Sequence, residues 1–303
     1  MNPFAAPQDI EARELRSIAN VAHEGINFSK QHDKIIYFVD ENRSGSIYKF
    51  VMKKAGDYTA GQTLVLSVGA FSGDATKNYN DPANLGQSRS GKAHWVPLTN
   101  ANGKPLPGIS DPFSPGSGSG RAAADDAGGT PYGRPEDMEI GVLNNGREVI
   151  YFAATSENTI YTIETLRGNR AFARELVGPA TPKNDGFAPT TGILNSPDNL
   201  AQDALGNIYV IEDTPNGSRT GGDIWFVRDT DNDGVAESLD HFLSIRVDGS
   251  EATGMIFNPV NPTEFVVAVQ HPDSTDLGNV PDGFGDAVWK VEIEDGDFIG
   301  ALE

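Results

Sequence analysis

No cysteine occurs in the 303 residues. Disulfide staples, thiolate metal ligands and a thiol nucleophile are therefore excluded. Positive charge is scarce: 23 Lys and Arg face 43 Asp and Glu, a formal net charge of −20. Such a surface repels nucleic acid and anionic membranes and draws divalent cations. It also repels a phosphorylated ligand unless bound metal locally reverses the field. No apolar run approaches the ~18 residues of a membrane span. The opening MNPFAAPQDI lacks the basic-then-apolar pattern of a signal peptide. The chain is thus expected to be cytoplasmic, or a mature or truncated piece of an exported protein.

What the sequence does contain is glycine and proline, 34 and 19 of them, between short apolar or alternating runs. That pattern predicts an all-β chain. Four segments share one layout: HEGINFSKQHDKIIYFVDENRSGSIYKFV, RPEDMEIGVLNNGREVIYFAATSENTIYTIETL, SPDNLAQDALGNIYVIEDTPNGSRTGGDIWFVRD, and EATGMIFNPVNPTEFVVAVQHP completed by DAVWKVEIE. Each opens with an acid, runs through a short strand and a tight turn, and returns on an apolar strand. A polar loop then leads to a third strand with an aromatic near its start: Tyr48, Tyr161, Trp225 and Trp289. Fourth strands are predicted at TLVLSVGA, AFARELVG, HFLSI and DFIGALE. Repeated four-stranded units of this kind are the blades of a β-propeller. Residues 72–133, rich in Gly, Ser, Pro, Asp and Asn, read as an insertion loop that cannot build a core of its own. Within it, GKAHWVPLTN is expected to form a strand or to pack over the propeller.

The first strand of every blade lines the central channel, so equivalent positions converge on the axis. The opening acids are Glu24, Glu136, Asp198 and Glu251. Like charges so gathered are stable only with protons or cations between them, and Ca²⁺ takes its oxygen ligands from such carboxylates. Asp40, Glu41, Glu212 and Asp213 follow the second strands on the same face and are candidate outer ligands, with Gln270 and His271 in the fourth unit. DTDNDGVAESLD, residues 229–240, matches a calcium loop, with Asp229, Asp231, Asp233 and Glu237 as ligands and Gly234 at the sharp turn. Its expected role is stabilisation. Arg134 stands beside Glu136 in TPYGRPEDMEIG, where a guanidinium fork could grip an oxyanion next to a metal. Three of the histidines, His23, His94 and His271, could each act as a base, yet no Ser-His-Asp order stands out.

The motifs HEG…IYFVDE, RPEDMEI, SPDNLAQDALGNIYVIED and EATGMIFNP…VVAVQHP, in this order, resemble the PhoX-type alkaline phosphatases over roughly residues 20–295. The resemblance implies a six-bladed propeller, an axial cluster of iron and calcium ions, and hydrolysis of small phosphomonoesters in the periplasm or outside the cell. Carried over by motif, Glu24 and Glu136 are metal ligands, with Glu136 also catalytic, and Arg134 binds the substrate phosphate. Asp198, Glu251 and Asp213 join the ligand set by repeat position. The family's iron ligand includes a cysteine, which is missing here, so calcium is the expected ion. Four units against six imply a fragment or shortened relative, with residues 1–303 as a single propeller domain. The alternatives are a calcium-stabilised propeller serving as a binding or structural module, and a propeller lactonase, which has no need of Arg134 beside Glu136.

Overall fold

A computed structural model describes residues 6, 14–116, 118–186, 190–213, 222–247, 249–270 and 286–293. The first unit is β1 (His23–Phe28), β2 (Ile35–Asp40), β3 (Ile47–Met52) and β4 (Gly61–Val68), each antiparallel to the next. A strand β5 (Gly91–Pro97) and a helix α1 (Ser119–Asp126) precede the second unit. That unit is β6 (Pro135–Val142), β7 (Glu148–Ala154), β8 (Thr159–Thr165) and β9 (Arg170–Val177). A short β10 (Lys183–Asn184) leads to the third: β11 (Pro197–Gln202), β12 (Ile208–Glu212), β13 (Asp223–Arg228) and β14 (Ser238–Ser244). The fourth contains β15 (Glu251–Phe257), β16 (Glu264–Gln270) and β17 (Ala287–Glu292). The strand expected in DFIGALE, like His271, lies outside the described residues.

The expected all-β propeller architecture is present. Second strands such as IIYFVD and EVIYFAA read as continuous apolar runs because both of their faces are covered. Between the first and second units pack Tyr37, Leu66, Trp95, Ile140 and Phe152; between the second and third pack Tyr151, Leu200, Val210 and Trp225. A third interface joins Tyr209 and Phe226 to Met255 and Phe265. Of the four predicted aromatics, Tyr48, Tyr161 and Trp225 are buried and Trp289 is 38% exposed.

Residues 72–133 contain a strand, one of the two expectations for GKAHWVPLTN, and a helix that was not expected. GKAHWVP is a full strand, β5, hydrogen-bonded to β4 on one side and β9 on the other, so the first two units merge into one nine-stranded sheet. RAAADD, in a stretch expected to build no core of its own, lies in α1 and buries Ala123 and Ala124 with Ile36, Phe38 and Phe50 on the outer face of the first unit. A run of alanines favours helix, and Gly120 lets it approach, since a Cβ there would lie 2.5 Å from Val21 Cγ1.

The first strands β1, β6, β11 and β15 lie side by side in that order. Each carries a bulge against its own second strand: between His23 and Ile26, Pro135 and Met138, Pro197 and Asn199, and Thr253 and Met255. A bulge inserts one unpaired residue and re-aims the side chains beside it. The bulges are also where neighbouring units lock together. Asp137 accepts hydrogen bonds from Met138 N at 2.8 Å and from Leu200 N of the next unit at 3.0 Å. Asn199 in turn accepts from Thr253 Oγ1 at 2.7 Å and Gly254 N at 3.0 Å. Earlier in the series Asn27 donates to Met138 O at 2.6 Å. Gly25 allows β1 to approach, because a Cβ there would sit 2.7 Å from Met138 N.

Replacing Asp137 by Ala leaves two buried amides without acceptors. The expected loss of stability is about 1–3 kcal/mol, read as a lower urea midpoint; an unchanged midpoint would show that the interlock contributes nothing.

Candidate metal and oxyanion site

Arg134 owes its place to backbone geometry. Its φ is 55°, in the left-handed region, and Pro135 follows it. Proline disfavours the right-handed helical region for the residue before it, and a side chain held at positive φ stores of order 1–3 kcal/mol of strain. The surrounding bonds fix it: Arg134 N donates to Asn42 O at 2.9 Å and Thr155 N donates to Arg134 O at 3.1 Å. Ser196 before Pro197 repeats the device at φ 49°, with Asp213 N donating to Ser196 O at 2.9 Å. In the first unit Glu41 N donates to Ala22 O at 2.8 Å. Three units thus tie the residue before the first strand to the residue after the second.

The acids gather at these ties. Glu24, Glu136 and Asp198 lie within the first three bulges. Carboxylate oxygens of Glu24, Glu41 and Glu136 lie within 4.8 Å of one another. Arg134 bridges two of them, its Nη2 2.9 Å from Glu41 Oε1 and 2.7 Å from Glu136 Oε1. Glu136 is 2% exposed, and although its Oε1 is close to the guanidinium, the approach is not that of a hydrogen bond, so among the described residues this buried oxygen has no hydrogen-bond donor. Burial, then Asp198, pushes the Glu136 carboxyl up to about 8, with Glu41 and Glu24 adding and Arg134 opposing. Asp198 is raised to about 7 by burial and by Asp213, Glu24 and Asp137, again against Arg134. Glu24 is raised by burial and by Glu41 and Asp137. A cation among these oxygens would replace the protons they otherwise retain; the orphaned Glu136 oxygen fits a metal.

Sequence position placed Glu251 with this set, but the fourth unit differs. There the bulge falls at Gly254, Glu251 pairs in register with Gln270, and its carboxylate accepts from Gln270 Nε2 at 3.0 Å. It is outside the group of three. Asp213 is close enough to raise Asp198. Two candidate outer ligands are already occupied. Glu212 accepts from Asn195 N and Trp225 Nε1, both at 2.9 Å, and from Asp223 N at 3.1 Å. Asp40 receives both prongs of Arg121, Nε at 2.7 Å and Nη2 at 2.8 Å, and Ala22 N at 3.0 Å.

Arg121 was not singled out from the sequence, nor was Arg89. Arg89 lies 3.5 Å from Glu157, which accepts from Gly133 N at 2.6 Å and Tyr161 Oη at 3.0 Å. One arginine therefore braces the backbone before Glu24 and Glu41, the other the backbone before Arg134. They are the only two arginines in residues 72–133, which was the available signal. His23 is structural, with Nε2 3.0 Å from Ala19 O and its ring against Phe38.

The loop at 229–240 joins β13 and β14 as expected. Asp229, Asp231 and Glu237 bring oxygens within 4.8 Å of one another. Asp233 turns instead to Val235 N at 2.9 Å. Asp229 accepts from Asp233 N at 3.1 Å and Gly234 N at 2.9 Å, and burial pushes it up to about 6. The same loop grips the second unit: Asn144 Nδ2 donates to Asp231 O at 2.6 Å, Asn232 Nδ2 to Val142 O and Thr162 Oγ1 to Gly234 O, both at 3.0 Å.

Comparison with known proteins gives one strong agreement. The family model described as Alkaline phosphatase PhoX matches residues 2–185 and 176–273. The solved structure of Pseudomonas fluorescens PhoX in complex with vanadate, a transition state analogue, superposes with a TM-score of 0.65 at 20% identity, covering 93% of this chain and 55% of that one. The chain thus spans about half the length of that relative. Kuenenia stuttgartiensis hydrazine synthase aligns at TM-score 0.41 and 12% identity over 96% of this chain and 67% of that one. An endo-arabinase of Bacteroides thetaiotaomicron aligns at 0.35 and 10%, over 93% and 97%. No curated protein matches.

A pH dependence follows from the cluster. Glu136 keeps its proton to about 8 when folded, against an ordinary value of 4.5. Protonation therefore favours the fold: the contribution is full below 4.5 and is lost as pH rises through 8. Metal-free protein should lose stability across that window, and Glu136→Gln should flatten the slope of urea midpoint against pH. An identical slope in the variant would mean that Glu136 is not a group that titrates there.

Proposed function

The chain belongs to the PhoX alkaline phosphatase family, and on that premise we propose that it is a metal-dependent phosphomonoesterase acting at the axial cluster. The observation that carries the reading is the pairing of Arg134 with Glu136: a guanidinium held by strained backbone beside a buried carboxylate oxygen that has no donor. Glu24, Glu41, Glu136 and Asp198 would hold the metal, with Asp213 beside Asp198; Glu251 enters only by its repeat position. The donors are all carboxylate oxygens, and the sequence has no cysteine. That set suits a hard cation, so calcium is the ion of this proposal and a thiolate-ligated iron is not. When bound, the metal neutralises local charge and polarises the phosphoryl oxygens.

The protein's own groups then have defined tasks. Arg134 is about one-third exposed and so is Glu41, its partner. A pair that open to water is worth at most about 1 kcal/mol, so an incoming phosphate dianion can draw the guanidinium away from Glu41. Two parallel N–H donors then grip the phosphoryl oxygens and hold them more tightly as charge builds there. Arg89 and Arg121, through Glu157 and Asp40, keep the two strand entrances from shifting. The substrate is a small phosphomonoester, and the family's usual setting supports a periplasmic or extracellular location. Loop 229–237 binds a separate calcium ion through Asp229, Asp231 and Glu237 and staples the third unit to the second.

The test is metal analysis and p-nitrophenyl phosphate turnover on the same sample. Arg134→Lys keeps the charge but loses the fork, and should lower kcat about tenfold or more, at ~1.4 kcal/mol per decade. Glu136→Ala should lose axial metal together with rate. A metal-loaded wild type with neither turnover nor Arg134-dependent vanadate binding would refute the enzyme; a calcium-stabilised binding propeller would then describe the chain.

Chelation should separately lower stability by about 3–4 kcal/mol if calcium stands at ~100–1,000 times its dissociation constant. Asp231→Ala should remove the loop ion's share of that response with little effect on rate, and a full calcium response in the variant would remove the loop site.

A further inference from the structure

A cavity of about 450 Å³ opens between the first and second units, at the strand ends remote from the acidic cluster. Small-molecule sites have volumes of roughly 300–1,000 Å³. Its walls include His32, Tyr37, Lys49, Arg147, Leu166 and Arg167. Lys49, on β3, is only 7% exposed. Its ammonium lies 5.7 Å from the centre of the Trp95 ring, and it makes no hydrogen bond or ion pair with any described residue. A charge so buried without an acceptor is costly. The cavity it lines is where an acceptor, water or a bound oxyanion, can reach it.

The nearby carboxylates are already engaged. Glu148 accepts from Ser29 Oγ at 2.7 Å, Tyr37 Oη at 3.0 Å and Gln31 N at 3.1 Å. Glu164 accepts from Arg174 Nη2 at 2.6 Å, Arg147 Nη1 at 2.7 Å and Asn145 Nδ2 at 3.0 Å. Burial lowers the Lys49 pKa and Glu148 only partly opposes that. Arg147 and Arg174 are matched by Glu164, so among the described residues Lys49 and Arg167 are the cavity's cations without an ion pair, in a chain whose net charge is −20. Ile35, Tyr37 and Leu166 add apolar wall.

The geometry points to a second binding site, an oxyanion pocket that takes the phosphate group of a small phosphorylated molecule, with Lys49 as its buried cation and Arg167 at its mouth. Arginine forks and a lysine point charge are the usual partners of phosphate oxygens. The site is independent of the phosphatase reading, because none of its residues belongs to the axial cluster.

Chelator-treated full-length chain titrated with inorganic phosphate, followed by calorimetry, tests it. Saturable one-site binding is expected in the wild type and in Arg134→Ala. Lys49→Met should weaken it about tenfold or more, the cost of one charged hydrogen bond. Arg167→Ala, an exposed change that leaves the core alone, should weaken it several-fold; if Lys49→Met does not fold, this variant decides. No saturable binding in the wild type, unchanged affinity in Arg167→Ala, or loss of binding in Arg134→Ala would each overturn the proposal.

Discussion

Asp137 accepts one amide from its own strand and one from the first strand of the next unit, and on bonds of this kind the axial region depends. Sheets that meet face to face through apolar side chains can slide without losing much buried area, because hydrophobic attraction is not directional. A carboxylate that must satisfy Leu200 N cannot slide. The interlock fixes β6 against β11, as Asn199 fixes β11 against β15. The bulges that expose those amides also turn Glu24, Glu136 and Asp198 toward one another. Register and site are therefore set by the same few residues.

Charge is distributed with the same economy. A chain at −20 gathers several acids at its axis, and repulsion among them has to be contained. Arg134 lies within the cluster, while Arg121 and Arg89 neutralise Asp40 and Glu157 behind it. Both of these come from the segment between β4 and β6, so a stretch that resembles a surface loop supplies counter-charge to the backbone on which Glu24, Glu41 and Arg134 are mounted. At the opposite strand ends the balance reverses, with cations in excess around Lys49.

Much of this was legible in the sequence. The continuous apolar runs and turn spacing of IIYFVD, EVIYFAA and NIYVIE mark the second strands, and the acid opening each unit marks the axis. Arg134 and Glu136 stood out together because only Pro135 separates them, and the loop at 229–240 because its spacing is its geometry. Asp233 departs from that motif: it caps Val235 N, a competition between backbone and ion that spacing does not show.

What the sequence determined alone is what short-range chemistry determines: strand, turn, the identity of the units, and the acids and arginine opening them. Tertiary structure decided the rest. Glu41 joins Glu24 and Glu136, while Glu251 stands aside because its bulge slipped to Gly254. Arg121 reaches Asp40 from 81 residues away, and Lys49 is buried with no acceptor among the described residues because two units close over it. The reason is physical. Pleat and turn depend on neighbours along the chain, whereas the position of a bulge, the partner of a distant arginine and the closing of a cavity depend on which surfaces meet.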